Sequence, residues 1–376
     1  MGNSIICHIT SAHPPYDDRI FHKECKTLAG NGYKVVLIAP HDKDEVVEGV
    51  KIKAIPKPKN RKERILKITL QVYKSALREN AEVYHFHDPE LIPAGIMLRF
   101  HGKKVIYDVH EDVPRQIMSK EWIPKYLRGM VAGVMGMIEA LASKIIDGIV
   151  AATPAIAKRF PKFKTTVVQN FPIVSEFVLG ESIPYQNRPA KVVYIGGISI
   201  IRGIKEMIKA VELVAKKVDV RLVLAGSFSP PSLKDEIENL EGWQYVNFLG
   251  WQNRESIARL LGEARVGLVV LHPIPNYVEA WPVKLFEYMA VGLPVIVSDF
   301  PLWREIIECT GCGILVNPLK PKEIADAIKW ILEHPEEAEK MGHRGREAVL
   351  NKYNWQVEGN KLLEFYRRIL KEEVAV

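Results

Sequence analysis

Residues 275–307 read PNYVEAWPVKLFEYMAVGLPVIVSDFPLWREII. Pro282 suits the first turn of a helix, where its missing N–H costs nothing. Leu285, Phe286 and Met289 then share an apolar face, so a helix is expected over Val283–Val291. The β-branched run Pro294–Ser298 reads as a strand buried on both faces. A helix feeding such a strand is the repeating unit of a parallel sheet.

The same alternation continues on both sides. Strands are expected at Ser4–Ile9, Lys34–Ala39, Glu82–Phe86, Lys104–Asp108, Gly148–Ala152 and Thr165–Gln169. Helical patterns fall between them, notably Asp18–Asn31 and Pro124–Lys144. A second series holds Lys191–Ile195, Arg221–Ala225, Tyr245–Leu249, Val266–Leu271, Pro294–Ser298 and Gly313–Val316, separated by helices such as Lys205–Lys216 and Pro321–Leu332. Two series imply two doubly wound α/β domains, and 376 residues exceed what one core usually serves. The polar stretch Leu179–Pro189, with Gly180, Pro184 and Pro189, is the expected linker.

With 47% hydrophobic and 26% charged residues, the composition excludes a largely disordered chain, a collagen-like fibre and a disulfide scaffold. The longest apolar stretch, Met130–Ala142, is interrupted by Glu139 and falls short of the ~20 residues that a bilayer span needs. No signal peptide is read at the start, so a cytoplasmic protein is expected. Residues 1–180 carry 27 Lys and Arg against 19 Asp and Glu, net +8, whereas residues 181–376 come to −1. The basic half suits either an anionic partner or a lysine-rich solvated surface. Cys7 and Cys25 read as ordinary buried thiols. Cys309 and Cys312 form half of a zinc pattern with no second pair, and read as small core residues near a turn or as a local redox pair.

Ligands of doubly wound sheets bind at the carboxyl ends of the strands. His85-Phe86-His87-Asp88 and Asp108-Val109-His110-Glu111-Asp112 both lie at such ends. His85 and His87 point the same way on an extended strand. The group suits a metal site, a sugar or phosphate subsite, or histidines that only satisfy the backbone. Glu279 lies in the loop before the Val283 helix and Glu287 in its opening turns. A diphosphate at that helix start would meet backbone amides, the dipole and Lys284. Glu287 would then accept paired ribose hydroxyls; the alternative is a pair of exposed helix charges. Gly196, Gly197 and Gly203 follow a strand without matching a dinucleotide fingerprint, and Arg202 beside Lys205 suits an anion or a solvated helix start. Over Asn60–Asn80, Ile65, Ile68, Val72, Tyr73 and Ala76 form an apolar stripe among Arg61, Lys62, Arg64, Lys67, Lys74 and Arg78. That pattern fits a membrane-surface helix or an ordinary covering helix.

The 275–307 stretch, followed by GCGILVNP, resembles the donor-site region of retaining glycosyltransferases of family 4. DDRIFHKECKTLAGNGYKVVLIAP, VYHFHDPEL, VIYDVHED, VVYIGGISIIRGIKEMIKAV and YNWQVEGNKLLEFYRRIL resemble further segments of that family, in order, over nearly the whole chain. The resemblance implies the GT-B architecture of two facing doubly wound Rossmann-like domains. The first covers residues 1–182 with a returning helix at 356–376, and the donor domain covers 183–355. It implies that Glu287 binds ribose, that Glu279 contacts the donor sugar, and that His110 sits at the reaction centre. Catalytic roles are thus expected for His110 and Glu279. Donor-binding roles fall to Gly196, Gly197, Arg202, Lys284 and Glu287, with Trp251 near the base or simply packed. Asp18, Arg19, His87 and Asp88 are acceptor-side candidates.

Two departures stand out. Gly197 occupies a position that is usually arginine, and Ala280, Trp281 and Pro282 replace loop glycines; Lys284 is expected to compensate. No metal or other cofactor is expected beyond the nucleotide sugar. The partners expected are a glycan or lipid-linked acceptor and an anionic membrane surface at 60–80, with no nucleic acid. The rival readings are a nucleotide-sugar epimerase or hydrolase on the same fold, and a metal-dependent hydrolase using His85, His87 and His110.

Overall fold

The computed structural model describes residues 4–118, 120, 122–177 and 183–371. The chain divides into two compact units, Met1–Asn170 with Trp355–Val376, and Phe171–Asn354.

The first unit is built on β1 (Ile5–Ile9), β2 (Lys34–Pro40), β3 (Glu45–Val47), β4 (Val50–Ile55), β5 (Val83–Phe86), β6 (Lys104–Val109), β7 (Gly148–Ala151) and β8 (Thr165–Val167). Their order is β3-β4-β2-β1-β5-β6-β7-β8. All neighbours are parallel except β3 and β4. That hairpin was not expected from the sequence. Glu48 and Gly49 turn with φ of 47° and 80°, the left-handed pair that a two-residue hairpin requires. The alternation in Val50–Ile55 was its available signal. The strands β5 and β7 are buried throughout, which explains why they read as unbroken apolar runs. Chain order reverses across β1 and β5, so the switch point lies where Ile9 and Phe86 end. The closing helix Trp355–Leu370 packs on this unit. Its Trp355 indole donates to Thr27 at 2.8 Å, and Glu358 accepts from the Gln169 amide at 2.8 Å.

The second unit holds β9 (Lys191–Ile195), β10 (Arg221–Ala225), β11 (Val246–Gly250), β12 (Val266–Val269), β13 (Val295–Ser298) and β14 (Gly313–Val316). The order β11-β10-β9-β12-β13-β14 is all parallel, and its switch point falls between β9 and β12. The helix expected at Val283–Val291 spans Val283–Ala290, and buries Leu285, Phe286, Tyr288, Met289 and Ala290.

The second unit begins at Phe171, ahead of the expected boundary at 182/183. Packing is the reason: Phe171 and Phe177 are both buried in its apolar core. Part of the expected linker, 178–182, lies outside the described residues. Its remainder is no free tether, because Tyr185 is buried and its hydroxyl donates to the Arg265 carbonyl at 2.7 Å.

The helical stretch Arg61–Glu79 buries Ile68, Val72, Tyr73 and Ala76, so most of its apolar stripe serves the core. Ile65, Leu66 and Leu70 remain exposed, Leu66 at 74%. No helix among the described residues is long and apolar enough to cross a membrane. All four cysteines are free; Cys309 is exposed, and Cys7, Cys25 and Cys312 are buried.

Candidate functional site

Each unit carries a cluster at its switch point. In the first, Asp108 is the penultimate residue of β6 and is fully buried. Arg19 grips it with two bonds of 2.9 Å, from Nε and Nη2, and gives Nη1 to the Val168 carbonyl at 2.9 Å. Asp17 sets that geometry by accepting from the Arg19 and Ile20 amides, so the helix turns its Arg19 face inward. His110 Nε2 lies 2.8 Å from Asp108 Oδ2, and His87 Nδ1 lies 3.2 Å from the same oxygen. Burial opposes the Asp108 charge, but Arg19 and the imidazoles hold its pKa well below the usual carboxylate range. Burial brings His87 down to about 4 despite Asp108, so its ring is neutral at physiological pH. His110 keeps 17% side-chain exposure and is the member of this chain that solvent reaches.

Asp88 is occupied differently. It accepts from the Thr10 hydroxyl at 2.8 Å and from the Ser11 amide at 2.6 Å, and so ties the end of β1 to the end of β5. Asp18 pairs with Lys23 at 2.7 Å. Arg19, His87, Asp88 and His110 therefore come together, but Arg19 and Asp88 spend their polar atoms within the unit. His85 does not satisfy backbone; its Nδ1 meets the Tyr366 hydroxyl at 2.7 Å. The sequence reading missed His8, His13, Glu24 and Tyr366. His13 binds Asp17 at 3.1 Å, and its ring lies 5.3 Å from that of His110. A histidine four residues before an aspartate was a usable signal; Tyr366, on a distant helix, left none.

In the second unit, Gly196 and Gly197 follow β9. Gly196 has φ of 101°, and a side chain at Gly226 would meet the Gly196 carbonyl at 1.9 Å, so two glycines allow two loops to touch. Arg202 Nη1 donates to the Gly197 carbonyl at 3.1 Å and Nε to the Tyr277 hydroxyl at 3.3 Å. Lys284 stands over the Tyr194 ring, 3.7 Å from its centroid. Its stem is part-exposed, yet its ammonium is shielded from solvent and has no hydrogen-bond partner. Burial, with Arg202 adding to it, pushes the Lys284 pKa well down, while Glu287 acts in the opposite direction. No side chain caps the helix that starts at Val283. Two cations and an uncapped helix start converge beside a glycine platform, an arrangement suited to a polyphosphate.

Trp281, in place of a loop glycine, packs against Phe171, Phe286 and Tyr353, with ring centroids 5.6–6.0 Å apart. The Trp303 indole donates to the Ala280 carbonyl at 2.8 Å. Aromatic packing thus shapes the loop in place of glycine flexibility. Glu279 is exposed at the end of the short helix Pro275–Val278. Trp251 is 76% exposed, so it is not a packing tryptophan.

A family model described as glycosyl transferases group 1 matches residues 181–348, and one described as Glycosyltransferase Family 4 matches residues 19–171. The chain belongs to the family 4-like glycosyltransferases. Its two Rossmann-like α/β units have the GT-B fold. It is 28% identical over 190 residues to an uncharacterized glycosyltransferase of Methanocaldococcus jannaschii, covering 50% of this chain and 47% of that one. It is 30% identical over 198 residues to the alpha-D-kanosaminyltransferase of Streptomyces kanamyceticus, covering 51% and 48%. The chain thus spans about half the length of these curated relatives. A sucrose-phosphate synthase from Thermosynechococcus elongatus superposes with a TM-score of 0.78 at 20% identity, over 98% of this chain and all of that one. HepE of Anabaena, solved with UDP and glucose, superposes at 0.73 and 14% identity, over 97% of this chain and all of that one.

Proposed function

We propose that this glycosyltransferase is a retaining hexosyltransferase. It moves a sugar from a nucleoside diphosphate sugar, a UDP-sugar first and GDP-mannose next, to a hydroxyl of a lipid-linked or cell-surface glycan. The observation that carries this reading is the Lys284 ammonium, shielded and without a hydrogen-bond partner, beside Arg202 at the Gly196–Gly197 turn. A shielded cation without a hydrogen-bond partner is costly, and a diphosphate is a partner that removes the cost. The UDP held by HepE supports a uridine donor.

As the anomeric bond breaks, negative charge builds on the departing phosphate. Arg202, Lys284 and the Val283 helix start stabilise it without a metal. Glu287 takes the ribose hydroxyls, Glu279 and His110 contact the reacting sugar, and the acceptor attacks on the leaving group's own face. The departing phosphate accepts the acceptor's proton. Ile65, Leu66 and Leu70, exposed among Arg61, Lys62 and Lys67, support peripheral contact with an anionic membrane, at the cytoplasmic face. The metal-hydrolase rival is weaker, because His85 is fully enclosed and substrate does not reach it.

Calorimetry without added metal, against UDP, GDP and ADP and then their sugar conjugates, tests the reading. Micromolar binding of one nucleotide, weakened by Glu287→Ala, supports it. No binding of any nucleotide overturns it. Release of free sugar at full rate without acceptor would favour the hydrolase rival.

A further inference from the structure

Behind His110 the first unit encloses three more histidines and one glutamate that the transfer chemistry does not use. His8, Glu24, His85 and His87 are all buried, and each offers one ligand atom within 4.8 Å of the other three. Their nitrogens are sorted by their partners. His87 Nδ1 is 3.2 Å from Asp108, His85 Nδ1 is 2.7 Å from the Tyr366 hydroxyl, and His8 Nε2 is 3.2 Å from that same hydroxyl. Each ring therefore has one nitrogen held from outside and the other turned inward. His8 Nδ1 lies 2.9 Å from His87 Nε2 and 3.8 Å from Glu24 Oε2. A tetrahedron with metal–ligand bonds of about 2.0–2.1 Å has edges of about 3.4 Å, between these two values. His85 Nε2 is fully buried and lacks a hydrogen-bond partner, and the fully buried Glu24 carboxylate faces the same space. Arg19, 3.1 Å from Glu24, supplies one positive charge to Glu24 and Asp108 together. Ligand nitrogens whose other edge is held by a carboxylate or hydroxyl are what metal sites require.

We propose that His8, Glu24, His85 and His87 bind one divalent transition ion of the zinc or cobalt class. The ion would have four protein ligands and no open position, which makes it structural. It would orient His87, and through His87 the ring of His110 3.1 Å away. Metal retention is read without any sugar transfer, so the proposal and the transferase reading succeed or fail separately.

The test uses the full chain without a histidine tag, unfolded with chelator and refolded with Zn²⁺ or Co²⁺. One equivalent surviving dialysis, with the intense visible bands of tetrahedral cobalt, is the expected result. His85→Gln keeps a polar group for Tyr366 and should lower retention about tenfold or more, and Tyr366→Phe should also weaken it by about tenfold. Absence of retained metal in the refolded wild-type chain overturns the proposal without any variant. Metal lost in His110→Ala but kept in His85→Gln also overturns it, since it would place the ion among His87, Asp108 and His110. UDP calorimetry on the same preparations reads the donor site separately.

Discussion

The Arg202 guanidinium occupies the space that a side chain at Gly197 would need: a Cβ there would lie 2.4 Å from Arg202 Nη1. A glycine where relatives are expected to carry arginine is thus matched by an arginine reaching in from five residues on. Gly197→Ala should displace the flexible Arg202 end rather than the backbone. The expected outcome is about tenfold weaker UDP binding by calorimetry, with a melting temperature near wild type. Wild-type affinity would show that Arg202 does not serve the donor.

Lys284 should show a trade between stability and binding. Lys284→Met removes a shielded ammonium without a hydrogen-bond partner, offset by its contact with Tyr194 and by the charge of Glu287. The ligand-free variant should be more stable by about 1 kcal/mol in urea titrations, while donor KM rises or kcat falls sharply. Near-wild-type kinetics would remove Lys284 from the site.

Arg19 should behave as a structural residue and not as an acceptor contact. Arg19→Met leaves Asp108 buried without its main partner, which costs about 3–5 kcal/mol. The urea midpoint should fall with an unchanged slope. A fully stable variant with altered acceptor KM would return Arg19 to the acceptor side.

The His13–Asp17 pair predicts a pH dependence. Burial works against charge on His13, but Asp17, and Asp88 beyond it, raise its pKa above the usual value. A raised folded pKa stabilises fully below the unfolded value of about 6.5 and is lost as pH rises through the folded one. His13→Gln should therefore cost about 0.5–1 kcal/mol at pH 5.5 and nearly nothing at pH 9, read by thermal melts across pH. A cost that grows with pH would contradict the pairing.

The cysteines should differ in reactivity. Burial pushes the Cys312 thiol up to about 11, and also raises Cys7 and Cys25. Cys309 is exposed. Iodoacetamide at pH 8 should label Cys309 alone in the native chain and all four after unfolding, as counted by mass spectrometry. A disulfide between Cys309 and Cys312 would block that label.

Local patterning is enough for most of the architecture. Buried parallel strands are continuous apolar runs, and covering helices repeat every 3.6 residues, so both series of strands and the Val283 helix follow from neighbours in the chain. The β3–β4 hairpin escaped because its strands are short and half-exposed. The family likeness likewise lies in contiguous motifs, and it brought part of each cluster into view. What each of them does there rests on contacts between segments far apart in the chain. Tyr366 meets His85 across 281 positions, and Arg19 meets Asp108 across 89. No periodicity records such pairs, because burial and hydrogen-bond satisfaction are properties of the packed sheet edge. Arg19 and Asp88 look like ligand contacts in a motif and become internal ties in the fold. Trp251 reads either as a base contact or as a packed residue, and the fold leaves it in solvent. Folding alone places Glu24 near three imidazoles and shields the Lys284 ammonium without a hydrogen-bond partner.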